Sequence, residues 1–166
     1  MKWRKIMYQN TFETLAVETM LTARQKINNE KWQEIGSFFI QNYVEQLSKQ
    51  EKAVIGHVKG LLELEADNFI KFSCVSQNRP VDSEMFIQDG SSLVGRLTFN
   101  AIVSGIENNI NIQNFHLALE RTCSVYELTT NYQETVHHDS ETIEQHSEAC
   151  PVCHEHHHDE TCSHHH

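Results

Sequence analysis

From Thr122 to the carboxy terminus the chain contains no lysine and no arginine. All 13 basic residues lie in residues 1–121, beside 14 of the 23 acidic ones, and the other nine acidic groups fall in residues 122–166. Nearly all of the net charge of −10 therefore sits at one end. Neither part carries a basic stripe, which argues against nucleic acid as a partner, since phosphate binding rests on clustered lysine and arginine. No stretch approaches the roughly 20 apolar residues of a membrane span, so no membrane partner is expected. The opening "MKWRKIMYQNTFETL" is basic without an apolar run. The expectation is a chain without a signal peptide, cytoplasmic, with its thiols reduced. Five cysteines, an odd number, do not make a complete disulfide framework. No Gly-x-Gly-x-x-Gly or phosphate loop occurs, so no nucleotide site is expected.

What is present divides in two. A length of 166 residues suits one domain with an appendage. The change in charge and histidine content predicts a globular body over residues 1–133 and an acidic tail over 134–166.

In the body, "FETLAVETMLTARQKI" sets Phe12, Leu15, Thr19, Met20 and Ala23 at helical spacing, with Asn10 or Thr11 as cap. "KWQEIGSFFIQNYVEQLSKQE" repeats the pattern through Trp32, Ile35, Phe39, Tyr43 and Leu47. The period then shortens to two. "AVIGHVKGLLELE" puts Val54, Val58, Leu62 and Leu64 on one face and His57, Lys59 and Leu61 on the other. "FIKFSCVS" alternates likewise after the turn "ADN", as a hairpin would. "SEMFI" reads as a short strand. "LVGRLTFNAIVSGI" aligns Leu93, Leu97, Phe99, Ala101 and Val103. "INIQNFHLALERTCSVYEL" returns to helical spacing through Ile112, Phe115 and Leu119. The predicted fold is α+β: a small antiparallel sheet of about four strands, two helices before it and one after, with the helices on one face. Gly56 and Gly60, four apart on one strand, and Gly95 predict a bulge or a close approach by a neighbouring helix, a ligand or a partner chain, with the helix favoured.

The body offers little chemistry. His57 lacks an orienting carboxylate at an obvious spacing and reads as a surface histidine, His116 reads similarly, and Cys74 and Cys123 read as small buried hydrophobes.

The tail is different. Cys150 and Cys153 stand two residues apart, a spacing that turns both thiolates onto one ion. Pro151 stiffens the turn between them. Cys162 follows, and His154, His156, His157, His158 and His164 surround the three sulfurs. Any one imidazole completes a tetrahedral Cys3His set. The acidic spacers attract cations, and no basic side chain repels them. Apolar residues are too few to offset chain entropy, so the tail is expected to be disordered without metal. "CPVCH" also matches the c-type haem attachment pattern, which would require export. In composition the tail resembles the histidine-rich extensions of cytosolic nickel and cobalt metallochaperones, such as those serving urease and hydrogenase. The body carries no family motif.

The function expected is therefore a metal buffer or metallochaperone for Zn, Ni or Co. Its partners are divalent transition ions and a recipient metalloprotein, and a homodimer fits the body's role in docking. The alternative is an enzyme with its active site in the body and the tail as metal reservoir.

Overall fold

A computed structural model of the chain describes residues 12–86 and 89–133. The elements run β1 (Phe12–Asn28), α1 (Asn29–Ser48), β2 (Val54–Glu63), β3 (Phe69–Cys74), β4 (Asp82–Met85), β5 (Ser91–Ser104), α2 (Asn108–Tyr126) and β6 (Thr129–Thr130). The strands make one six-stranded sheet in the order β4-β3-β2-β5-β1-β6, and every neighbouring pair is antiparallel. This corrects the expected four-stranded sheet with three helices: the described residues hold six strands and two helices.

The main correction lies in residues 12–27, expected as a helix and found within the strand β1. Leu15, Thr19 and Ala23 are buried, and they stand four apart. A spacing of four returns to the same face in a helix and in a strand alike, so these positions do not separate the two. Leu21, also buried, and the partly buried Val17 complete an alternation that only a strand explains. The β-branched Thr14, Val17, Thr19 and Thr22 favour the extended chain as well.

Asn28 ends β1 and caps α1, its Oδ1 accepting from the Lys31 amide at 2.8 Å. Glu127, in a left-handed conformation with φ of 55°, closes α2, and the Leu128 amide donates to the Cys123 carbonyl at 2.9 Å. Both helices lie on the same face of the sheet. Phe99 of β5 meets Phe39 and Tyr43 of α1 edge to face, with centroids 5.5 and 4.8 Å apart, and meets Phe115 of α2 at 5.1 Å. Burying one such ring stabilises the fold by roughly 1.5–3 kcal/mol. The core also contains hydrogen-bonded polar groups: the Trp32 indole donates to the Ser92 carbonyl at 3.1 Å, and the Tyr43 hydroxyl donates to Asn111 Oδ1. Burial raises the Tyr43 pKa, only partly opposed by that hydrogen bond.

Helix and sheet approach closely where glycine permits it. A Cβ on Gly36 of α1 would overlap the Phe72 ring, and one on Gly60 of β2 would stand 3.0 Å from Ile40 of α1. Gly56 does not share that role. The β2–β5 register shifts between Ile55 and His57, so Gly56 is the bulge residue. The shift also reverses Val54, expected inward with Val58 and found 53% exposed.

Candidate functional site

The predicted metal ligands Cys150, Cys153, His154, His156, His157, His158, Cys162 and His164 lie outside the described residues. So does the whole predicted tail, 134–166. Among the described residues, no group of three or more histidine, cysteine, aspartate or glutamate side chains gathers where it would hold a metal ion.

The body offers two surfaces. The first is the face of the sheet away from the helices. Across it Arg96 stands between two carboxylates, its guanidinium 2.6 Å from Glu63 and 3.6 Å from Glu18. Glu63 raises the arginine's pKa through that hydrogen bond and its charge. Lys71 lies over the Phe69 and Phe86 rings, 5.8 and 5.4 Å from their centroids. His57 is half-buried on this face, beside Ile102 of β5. At the same end Phe12, Val54 and Val75 are 50, 53 and 54% exposed.

The second surface is a cleft at the other end of β1. The β1–β5 register breaks between Thr22 and Ile27. Ala23, Arg24 and Gln25 there line a cavity of about 300 Å³ with Lys31, Tyr126 and Glu127. Its charges are paired within the chain. Arg24 lies 3.6 Å from Glu127, and Lys31 lies 2.8 Å from Glu34. The Lys31 hydrogen bond holds the Glu34 carboxyl below its usual range. Lys31 also sits over the Tyr126 ring, whose hydroxyl pKa is raised by burial and then by its hydrogen bond to Glu34. Sequence patterning did not reveal this cleft, because its cause is a bulge inside a segment read as helix.

The four body residues singled out from the sequence do not converge. His57 is on the open sheet face. His116 is on α2, with Nε2 4.0 Å from Glu120 and its ring 5.9 Å from that of Tyr132. Cys74 is buried, its thiol donating to the Ser76 carbonyl at 3.2 Å. Cys123 is half-buried, and burial pushes its thiol pKa up. A thiol held in its protonated form is a poor nucleophile and a poor ligand.

Among the described residues, these features define two layers, one antiparallel sheet with both helices on one side and its other face uncovered. No protein-family model matches the chain, and no curated protein matches it. Among solved structures the chain is similar to a zinc-bound triple mutant of the YjiA GTPase, with 13% identity and a TM-score of 0.37. The match takes in 66% of this chain and 30% of that one, under a third of its length. A likeness of that size carries no argument about function. Among the described residues, no helix is long and apolar enough to cross a membrane.

Proposed function

We propose that the chain is a transition-metal-binding protein, a buffer or metallochaperone for Zn, Ni or Co. One observation carries this reading. Three cysteines and seven histidines fall within residues 150–166, with acidic spacers and no basic side chain among them. Thiolates and neutral imidazoles are the donors that borderline-soft divalent ions prefer, and Cys150 with Cys153 supplies the two-residue spacing of zinc knuckles. The ligands outnumber the four positions of one tetrahedral site, which favours more than one ion or exchange among ligand sets. Exchange of that kind suits delivery to a recipient metalloprotein.

The body contributes surfaces rather than donors in this reading. Its histidines stand on opposite sides of the sheet, and its cysteines are occupied by packing. The open sheet face and the cleft beside Arg24 are available for docking.

Binding displaces protons from the thiols and competes with protons for the imidazoles. Affinity for Zn²⁺ should therefore fall steeply as the pH drops below about 6.5, the ordinary histidine pKa. Isothermal titration of the reduced, untagged chain at about pH 7.5 and about pH 5.5, either side of that pKa, tests this. Equal affinity at the two values would contradict the reading.

A further inference from the structure

We infer that the outer edge of β1, from Phe12 to Glu18, is a dimer seam on which the same segment of a second copy pairs antiparallel, centred on Leu15. The inference rests on the body alone and gives the proposed metal carrier a defined assembly.

β1 pairs with β5 from Phe12 to Thr22 in one unbroken register. On its other side β6 pairs with it only at Leu21 and Thr22. The next contacts show the chain leaving that edge. The Asn131 side chain takes the Met20 amide at 2.8 Å. The Tyr132 ring then packs on Phe115 of α2 at 5.2 Å. Among the described residues, Phe12–Glu18 therefore has no strand partner on its outer side. Such an edge presents a row of backbone donors and acceptors.

The two edges of the sheet are built differently. β4 is four residues long and places Asp82 and Glu84 on the open face, opposite Ser73 and Lys71. Short length and charge are the usual guards against edge pairing. The free part of β1 is longer, has neither lysine, proline nor a bulge, and carries charge only at Glu13 and Glu18.

The segment is also complementary to itself. A twofold axis normal to the sheet brings together residues that point to the same face. With the axis at Leu15, Phe12 faces Glu18, Glu13 faces Val17, and Thr14 faces Ala16. Neither glutamate meets its counterpart, although like charges placed directly opposite would oppose pairing. Glu18 already leans toward Arg96 on the β5 side, away from the seam. Thr14 and Ala16 are exposed and small, so nothing bulky blocks the approach. Half-exposed Phe12 would cover the aliphatic stem of the partner's Glu18. Centred on Leu15, the pairing uses the whole free edge.

Light scattering and sedimentation of the full, untagged, reduced chain test the seam. A chelator is kept present so that no metal bridges two tails. The natural chain should be a dimer in the micromolar range. Thr14→Glu with Ala16→Glu places like charges face to face twice and should raise the dissociation constant by more than about tenfold. Thr14→Lys with Ala16→Glu places opposite charges face to face and should restore the dimer. Circular dichroism and thermal unfolding monitor the fold of both variants. A natural chain that is monomeric at every concentration would overturn the inference, as when the edge is covered by the chain's own ends. So would a doubly acidic variant that stays dimeric, or a charge-paired variant that does not recover. Zinc titration of the same proteins, after the chelator is removed, keeps the two proposals apart. Intact zinc uptake with no dimer breaks only the seam; an intact dimer with no zinc uptake breaks only the metal-binding reading.

Discussion

The body and the final 33 residues, 134–166, differ sharply in the histidine, cysteine and charge they hold. In the body, the two cysteines pack in or against the core. Cys74 is buried, and Cys123 has its thiol pKa raised by burial. The two body histidines stand on opposite sides of the sheet. Ten of the twelve histidines and three of the five cysteines lie beyond Gln133, where no lysine or arginine occurs. A metal ligand must lose its proton, or keep it off, and burial opposes the charged thiolate. The proposed metal reading therefore predicts that stability and chemistry are separable in this chain, a comparison that experiment can break or sharpen.

The largest effect should come from the core. Trp32→Ala removes a fully buried indole and its hydrogen bond to Ser92, and should destabilise the body by roughly 3–5 kcal/mol in urea unfolding. Zinc stoichiometry should stay the same. A parallel loss of zinc would show that the two regions are coupled. The converse change is Cys150→Ser, Cys153→Ser and Cys162→Ser together. Zinc sites of this type bind with roughly 10–16 kcal/mol, so losing three thiolates should weaken zinc binding by at least about a hundredfold. The body's unfolding curve should not move.

A smaller effect is expected from Tyr43→Phe, which leaves Asn111 Oδ1 buried without the hydroxyl. Its expected cost is about 1–3 kcal/mol, read by urea unfolding. The smallest effect concerns pH. Glu34 has its folded pKa lowered, first by Lys31. Its contribution to stability is therefore present above the ordinary carboxylate value of 4.5 and is lost as the pH falls through the lowered folded value. Both groups are about half exposed, so the contribution is small. Glu34→Gln should slightly lower stability at neutral pH and make no difference once the carboxyl is protonated, as thermal unfolding across acid pH would show.

Much of the fold was legible because period and burial agree. Trp32, Phe39, Tyr43 and Leu47 mark α1, Ile70, Phe72 and Cys74 mark β3, and Leu97, Phe99 and Val103 mark β5; all are buried as their spacing required. β1 reads as a helix because Leu15, Thr19 and Ala23 satisfy both periods, and only Val17 and Leu21 between them distinguish the strand. Val54 was assigned to the wrong face because a bulge inserts a residue that an alternating pattern does not reveal. β6 has two residues, too few for any period. The cleft beside Arg24 depends on a register break and on α2 arriving from far along the chain. The proposed metal ligands rest on a different kind of signal, and they lie outside the described residues. Ligand chemistry is written in residue type and short spacing, which need no tertiary contact to be read.

The most direct measurement is elemental analysis of the untagged, reduced chain, purified without a nickel column and equilibrated with zinc, beside a chain ending at Val136. At least a full equivalent of zinc on the longer chain and only background on the shorter one is the result expected. No zinc on the longer chain, or equal zinc on both, would contradict the account.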